Sequence, residues 1–385
     1  MKAVTVVGAS LAGLGAARAL REQGFDGTLT VVGEEPHPPY DRPPLSKDFL
    51  LGKAGPADLA LHDDHGDSGL DIRWRLGTRA TGLDPRRRAV LLADGSEVAG
   101  DGVVIATGAT PRRLPGPGPQ AGVHVLRTLD DAEALRDDLA AGTPRVAVVG
   151  GSFIGAEIAS SCSALGLEVT VIEAAPLPLA PVLGEEMAAH CTALHADAGV
   201  RLLCGTGVAR LLGADRVTGV ELADGRRIPA DVVVVGIGVR PATGWLAGSG
   251  VDVDDGVVCD SGCRTSVPGV VAAGDVARLP APGGGSARAE HWSNASDQPA
   301  VAVRNLLAGA TVQDYRRTPY FWSDQYGVRI QFAGAARPGD TVRVVDGAPA
   351  DRSFAAVYER DGAVTAAIAL NRPRPFTRLR RTIAA

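Results

Sequence analysis

The sequence predicts an α/β protein with two Rossmann-like dinucleotide-binding domains and a small α+β carboxy-terminal domain. Two apolar runs, residues 3–8 and 145–150, each end in a glycine-rich turn that leads into a helix-like segment and a second apolar strand. Runs that are apolar on both faces are typical of buried strands in a parallel sheet. After about residue 313, apolar and polar residues alternate instead, as they do in antiparallel strands.

The composition is that of a globular protein. A length of 385 residues suggests two or three domains. A hydrophobic share of 45% and a charged share of 22% exclude a disordered or fibrous chain. The net charge of −5 argues against nucleic-acid binding. No apolar stretch reaches about 18 residues, so no membrane span is expected.

Cysteine and histidine usage narrows the chemistry further. The five cysteines form no CxxC motif, which favours a reduced, cytoplasmic setting and structural thiols. The seven histidines lack metal-ligand spacing, so no metal site is expected.

The first glycine turn runs from Gly8 to Gly13 (GASLAG), and its helix is expected to reach about Gln23 and to end at Gly24. The strand 28–32 then leads to Glu34. In such a fingerprint the first glycine allows a tight turn, and the middle position lets backbone N–H groups approach a pyrophosphate. The third glycine allows close packing of helix and strand, and the phosphates lie at the helix N-terminus.

The second turn, Gly150 to Gly155 (GGSFIG), repeats this plan, with a helix to about Leu165, a strand Val169–Ile172 and then Glu173. Ser10 and Ser152 stand at the middle glycine position. Each acid follows the first glycine of its turn by roughly 25 residues, near the spacing for a carboxylate that binds a ribose 2′-OH.

Two such sites suggest one fixed cofactor and one exchanging cosubstrate. No arginine follows Glu173, and its carboxylate would repel a 2′-phosphate, so the second site is predicted to prefer NADH over NADPH and the first to hold FAD.

Three longer motifs carry a family resemblance. They are residues 39–47 (PYDRPPLSK), 236–241 (GIGVRP) and 321–327 (FWSDQYG). Strands that end in Ala106-Thr107-Gly108 and in Gly274-Asp275 occur in the same order as in two-dinucleotide flavoproteins. From residue 2 to about 371 the chain resembles the NADH-dependent ferredoxin reductases that serve haem and Rieske oxygenases. The resemblance implies a glutathione-reductase-like fold.

The turns and the resemblance together imply two sets of contacts. FAD contacts are expected at Gly8, Ser10, Ala12, Gly13, Glu34, Arg42, Lys47, Ala80, Ala106, Thr107, Gly108, Arg127, Asp275, Trp292 and Trp322. NAD contacts are expected at Gly150, Ser152, Ile154, Gly155, Glu157, Glu173, Gly236 and Gly238. The resemblance also implies that Lys47 and Glu157 form a catalytic ion pair beside the flavin.

The segment after Trp292 is expected to form a helix aimed at the flavin pyrimidine, with Ser293 or Asn294 as its N-cap. Pro299 lies beyond the first turn of this helix, so it should kink the helix or delay its start.

The order of the motifs predicts an inserted domain. We expect an FAD domain at 1–110 and 237–312, an NAD domain at 111–236 and a carboxy-terminal domain at 313–385. The proline- and glycine-rich segment 115–119 marks the first crossover, and 280–286 is expected to be a surface loop.

Five arginines near the end, Arg372, Arg374, Arg378, Arg380 and Arg381, form an uneven basic cluster in an acidic protein. Together with Arg316 and Arg317 they suggest a docking surface for a small acidic iron–sulfur ferredoxin. A solvated helix face is the alternative interpretation. A monomer or weak dimer is expected.

Two other functions stay open at this stage. One is an NADH oxidase or a quinone or other small-molecule reductase of the same fold. The other is a flavin-bound interaction protein like apoptosis-inducing factor. A disulfide reductase is disfavoured, because no cysteine precedes Cys162.

Overall fold

A computed structural model describes residues 1–61, 67–116, 120–281 and 284–383. The chain divides into two compact units. The first consists of Met1–Asp41, Leu59–Thr110 and Arg240–Pro319, and the second of Arg42–Asp58, Pro111–Val239 and Tyr320–Ala385. The α/β fold class is confirmed, and the three-domain division stays a prediction.

A five-stranded parallel sheet forms the centre of the first unit. Its strands, in spatial order, are Val270–Ala272, Gly102–Ile105, Ala3–Val7, Thr28–Val32 and Ile72–Arg75. Every residue of Gly102–Ile105 is buried, which is typical of a central strand in a parallel sheet. The helix Leu11–Glu22 follows the first glycine turn, and Gly24 adopts a positive φ of 86° just after it.

Smaller elements complete the first unit. One antiparallel sheet contains Ala80–Asp84, Ala89–Leu92 and Glu97–Ala99, and another sheet contains Val257–Val258, Ala277–Pro280 and Ser286–Arg288. The loop expected at 280–286 connects two of these strands, and residues 282–283 of it lie outside the described residues.

The long helix Trp292–Ala308 corrects two expectations. His291, not Ser293 or Asn294, is its N-cap residue, and the helix continues through Pro299 without a delayed start. The ring of this proline packs closely against the helix Leu11–Glu22. A Cβ atom built on Gly15 would lie 3.3 Å from Pro299 Cγ.

The second unit contains a parallel sheet of the same kind. Its strands, in spatial order, are Arg201–Leu203, Val169–Ile172, Val146–Val149, Val232–Val235 and Val123–His124. Its helices are Leu129–Leu139, Phe153–Ala164 and Ala180–Asp197, and a three-stranded antiparallel sheet contains Val208–Leu212, Gly219–Leu222 and Arg227–Pro229. The crossover segment 115–119 is described only as far as residue 116.

A five-stranded antiparallel sheet ends the second unit. Its spatial order is Tyr320–Gln325, Val328–Gly334, Ala363–Leu370, Ser353–Arg360 and Thr341–Ala348. The helix Pro373–Arg380 follows and buries Phe376. Short strands Ala109–Pro111 and Val239–Pro241 pair in a separate ribbon.

All five cysteines are free, and four are buried. Burial raises the pKa of Cys162 and of Cys191 to about 12, so these thiols carry little thiolate at neutral pH. Among the described residues, no helix is both long and apolar enough to cross a membrane.

Candidate functional site

The first glycine turn is packed so tightly that its first and last residues have no room for a side chain. A Cβ atom on Gly8 would lie 2.1 Å from the carbonyl oxygen of Ala106, and one on Gly13 would lie 1.7 Å from that of Gly8. Gly8 also has a φ of 117°. The turn therefore needs glycine at its first and third fingerprint positions, as the spacing predicted.

The helix that follows this turn has no side-chain cap at its N-terminus. Ser10 is the N-cap residue but makes no side-chain cap hydrogen bond, and the first turn holds no acidic residue. The first N–H groups of a helix need an acceptor from outside it. A cofactor pyrophosphate fits this position.

Other predicted FAD residues of the first unit share this edge of the sheet. Ala106, Thr107 and Gly108 follow the neighbouring strand, and Asp275 follows the next strand along. Thr107 Oγ1 donates to the carbonyl oxygen of Ala242 at 2.8 Å. Because parallel strands end at one edge, these residues surround the first turn.

Three more predicted FAD residues lie elsewhere in the first unit. Glu34 is exposed just beyond its strand, and Ala80 begins the strand Ala80–Asp84. Trp292 begins the long helix, and its indole Nε1 donates to Asp41 Oδ1 at 2.8 Å.

The second glycine turn repeats the geometry of the first. A Cβ atom on Gly150 would lie 2.3 Å from the carbonyl oxygen of Gly236, and one on Gly155 would lie 2.0 Å from that of Gly150. Ser152 is again an N-cap residue without a side-chain cap hydrogen bond. Its hydroxyl instead donates to the carbonyl oxygen of Gly236 at 3.3 Å. This turn therefore also offers free helix N–H groups to a phosphate.

Glu173 is held at the rim of the second turn. The backbone N–H of Gly151 donates to its Oε2 at 2.7 Å, and that of Ala175 donates to its Oε1 at 2.7 Å. Gly238 lies beyond the adjacent strand, and its carbonyl oxygen accepts from the N–H of Arg112 at 2.9 Å. The side chain of Ile154 is 46% exposed on the turn itself. The predicted NAD residues are thus brought together at one edge.

The predicted catalytic pair is formed within the second unit. Lys47 Nζ lies 2.6 Å from Glu157 Oε2, with the Glu157 side chain 3% exposed and the Lys47 side chain 19% exposed. Lys47 follows the short 3-10 helix Pro43–Ser46, and Glu157 lies on the helix Phe153–Ala164. The ammonium also donates to the carbonyl oxygen of Pro43 at 3.1 Å.

Three residues at this pair were missed by the sequence analysis. Ser46 Oγ donates to Glu157 Oε2 at 2.6 Å, and Ser323 Oγ donates to Glu157 Oε1 at 2.6 Å. Gln325 Nε2 in turn donates to Ser323 Oγ at 2.9 Å. All three lie inside the motifs that carried the resemblance, but the motifs alone gave no role to them.

The remaining predicted FAD residues also lie in the second unit. A guanidinium nitrogen of Arg42 donates to the carbonyl oxygen of Arg127. Trp322 is half-buried, and its ring stacks on that of Tyr320 with centroids 6.0 Å apart.

The predicted docking arginines differ in their partners. Arg316 pairs with Asp314 at 2.9 Å, and Arg317 pairs with Asp297 at 3.6 Å, both within the first unit. In the second unit, Arg372 pairs with Asp346 at 3.4 Å, and the Arg380 guanidinium lies 4.4 Å from the Tyr320 ring centroid. Arg374, Arg378 and Arg381 are exposed, and no ion pair to them is found in the described ranges. Within those ranges no cluster of three or more His, Cys, Asp and Glu could hold a metal ion.

Comparisons with known proteins cover almost the whole chain. Residues 2–299 match the pyridine nucleotide-disulphide oxidoreductase family, and residues 320–385 match the reductase C-terminal family. A ferredoxin–NAD(P)+ reductase of Sphingomonas sp. is 39% identical over 99% of this chain and 92% of its own length. The ferredoxin reductase subunit of 5,5′-dehydrodivanillate O-demethylase from Sphingobium sp. is 40% identical over 96% of this chain and 90% of its own.

Solved structures of ferredoxin reductases are also similar to this chain. Putidaredoxin reductase, in its covalent complex with putidaredoxin, matches with a TM-score of 0.92 at 34% identity, over 99% of this chain and 92% of that chain. The ferredoxin reductase for the CYP199A2 system from Rhodopseudomonas palustris matches with a TM-score of 0.90 at 34% identity, over 96% and 91%.

Proposed function

The chain belongs to the pyridine nucleotide-disulphide oxidoreductase family, and on that basis we propose that it is an FAD-dependent NADH:ferredoxin reductase. It would supply electrons to a small iron–sulfur ferredoxin that feeds a haem or Rieske oxygenase. Proteins of this family use FAD and NAD(H). Several similar proteins are ferredoxin reductase components of dioxygenase systems, among them those for chlorobenzene, biphenyl and anthranilate.

The observation that carries this proposal is the Lys47–Glu157 ion pair. Its carboxylate partner, Glu157, lies on the helix that begins at the second glycine turn, two residues beyond Gly155. Disulfide reductases of this fold need a redox cysteine in the loop that here contains Ser46 and Lys47. A buried, oriented carboxylate–ammonium pair suits the positioning of a nicotinamide ring instead.

When bound, FAD supplies the conversion of a two-electron hydride donor into a one-electron source. The chain's own residues bind and orient the reactants. The helix N–H groups after Ser10 and Ser152 would hold the two pyrophosphates, while Glu173 would accept from the adenosine ribose and repel a 2′-phosphate. Lys47 and Glu157 would position the nicotinamide, and Asp275 would bind the flavin's ribityl chain.

We infer that the ferredoxin docks near Arg316, Arg317 and the carboxy-terminal arginines. The strongest support is for Arg374, Arg378 and Arg381, which are exposed and have no acidic partner among the described residues. An acidic ferredoxin would provide the missing charges and be steered by them. The free cysteines favour a cytoplasmic location.

The test is NADH-dependent reduction of cytochrome c by the FAD-loaded protein, with and without an added [2Fe–2S] ferredoxin. We expect fast reduction only when the ferredoxin is present. Equal rates in its absence, with rapid NADH consumption in air, would favour a small-molecule reductase or oxidase. Slow turnover with a change of oligomeric state on NADH binding would favour an interaction protein.

A further inference from the structure

Both oxygens of the Glu157 carboxylate are held by hydrogen bonds, from different parts of the second unit. Oε2 accepts from Lys47 Nζ and from Ser46 Oγ, each at 2.6 Å. Oε1 accepts from Ser323 Oγ at 2.6 Å. Glu157 is 3% exposed and Ser323 is fully buried, so the serine hydroxyl is a fixed donor rather than a mobile surface group.

Gln325 fixes the direction of the Ser323 hydroxyl. Its Nε2 donates to Ser323 Oγ at 2.9 Å, and its side chain is itself buried at 2% exposed. A serine hydroxyl has one proton to donate. Because Ser323 Oγ accepts from Gln325, that proton points at Glu157 Oε1.

The alternation of the strand Tyr320–Gln325 explains this placement. Phe321, Ser323 and Gln325 are buried on one face, and Tyr320 and Trp322 lie on the other. The face that contacts Glu157 is therefore opposite the face that carries the Trp322 ring.

The residues that contact Oε2 of Glu157, Ser46 and Lys47, are held in place by other hydrogen bonds. Ser161 Oγ donates to the carbonyl oxygen of Ser46 at 2.7 Å, and Lys47 Nζ donates to that of Pro43 at 3.1 Å. These contacts hold Lys47 and Ser46 at Oε2 but leave the rotation of the carboxylate about its own axis to the contact at Oε1.

We propose that Ser323, directed by Gln325, is a positioning residue for hydride transfer. It sets the rotation of the Glu157 carboxylate so that Oε2 stays with Lys47 and the pair keeps its orientation toward the nicotinamide. This inference rests on the proposed function. It gives the carboxy-terminal sheet a part in the NADH half-reaction, beyond any part in docking a ferredoxin.

The test is the limiting rate constant of flavin reduction by NADH, followed anaerobically by stopped flow on the FAD-loaded protein. We expect Ser323→Ala to lower this rate constant about tenfold, the effect of one hydrogen bond to a charged group. The Kd for NADH should change less than about twofold, since binding contacts remain. Ser323→Thr keeps the hydroxyl and should restore most of the rate.

A double-mutant cycle separates positioning from general structural damage. If Ser323 acts through Glu157, then Ser323→Ala should cause no further loss in a Glu157→Ala background. Should Ser323→Ala fail to fold, Gln325→Met removes the donor that directs the hydroxyl and should lower the rate in the same direction. Ser160→Ala is the matched control, because Ser160 Oγ accepts from the N–H of Tyr326 at 2.7 Å without touching Glu157.

The outcomes are distinguishable. A normal rate in Ser323→Ala, with a slow Glu157→Ala, would overturn this inference and leave the proposed function intact. An equal loss in both backgrounds, or an equal loss in Ser160→Ala, would assign the effect to structural damage and overturn it too. A normal rate in Glu157→Ala would contradict the role of the ion pair on which the proposed function rests.

Discussion

At the scale of single residues, the proposed chemistry depends on a charge pair whose side chains are largely shielded from water. Lys47 Nζ and Glu157 Oε2 are 2.6 Å apart, and removal of either partner leaves the other buried or half-buried without its counter-charge. Such removal is far more damaging than loss of a surface ion pair.

Lys47→Met is therefore expected to slow anaerobic flavin reduction by NADH about 10- to 100-fold. Lys53→Met is its control, because Lys53 is an exposed lysine of the same loop and should leave the rate unchanged. Equal rates in both variants, measured by stopped flow, would show that the pair has no role in the reaction.

Glu173 should determine the choice between NADH and NADPH. Glu173→Gln removes the negative charge and keeps one acceptor oxygen, which can serve the N–H of Gly151 or that of Ala175 but not both, because the two N–H groups donate to different oxygens. We expect the ratio of kcat/KM for NADPH to that for NADH to rise about tenfold, since a charge repulsion is lost. An unchanged ratio in steady-state assays would place the discrimination elsewhere.

His195 makes stability depend on pH. It is 2% exposed, its Nδ1 lies 2.7 Å from Tyr326 Oη, and burial lowers the pKa of His195 to about 4. The unfolded chain takes up this proton near pH 6.5, while the folded protein does not. The contribution of neutral His195 to the free energy of unfolding is therefore complete above about pH 6.5. This contribution is lost as the pH drops toward 4.

Urea unfolding at pH 7.0 and 4.5 measures this effect. The wild type should lose about 2–3 kcal/mol more than His195→Gln over this interval, because only the wild type carries the buried imidazole. Parallel losses in the two proteins would mean that other groups govern the acid sensitivity.

At the scale of elements, Gly15 and Pro299 form a matched contact between two helices. Alanine is normally the better helix residue by about 1 kcal/mol, but a Cβ atom on Gly15 would crowd the proline ring at 3.3 Å. Gly15→Ala should therefore stabilise a Pro299→Ala background by about 1 kcal/mol more than it stabilises the wild type. Thermal unfolding of the four proteins gives this coupling, and additive effects would contradict the contact.

Local sequence predicted the buried strands well. Thr28–Val32 and Val169–Ile172 have the expected bounds, because an apolar run between turn residues fixes both ends. The predicted start of the helix Trp292–Ala308 was wrong, because His291, not Ser293 or Asn294, is the N-cap residue. The helix also continues through Pro299, whose ring lies close to Gly15.

The site could be predicted only where its contacts are local or repeated. Each glycine turn carries its fingerprint spacing within six residues, so the spacing sufficed to locate both turns. The bond from Ser323 to Glu157 joins residues 166 apart in the chain, and no local pattern distinguishes that serine from a surface one. Only the fold brings the strand Tyr320–Gln325 to the Glu157 carboxylate.

At the scale of the whole molecule, charge should govern the encounter with a ferredoxin. A double change, Arg374→Glu with Arg378→Glu, should raise the KM for an acidic ferredoxin about tenfold at low ionic strength, and the difference should shrink as salt screens the charges. Flavin reduction by NADH should not change.

The control for that experiment is Arg210→Glu with Arg227→Glu. It alters the net charge equally but lies on the antiparallel sheet at Glu221, away from the carboxy-terminal helix in sequence and sheet. An equal rise of KM in the control would show that the effect comes from net charge alone. That result would contradict docking at the carboxy-terminal arginines.

The proposed function requires that the chain hold one flavin and pass electrons from NADH to a ferredoxin. Anaerobic titration of the purified protein tests this most directly. We predict a yellow protein whose flavin absorption is bleached by one equivalent of NADH and returns when two equivalents of oxidised [2Fe–2S] ferredoxin are added, since each ferredoxin takes one electron. A colourless protein that cannot take up FAD, or a flavin that NADH does not bleach, would contradict the account.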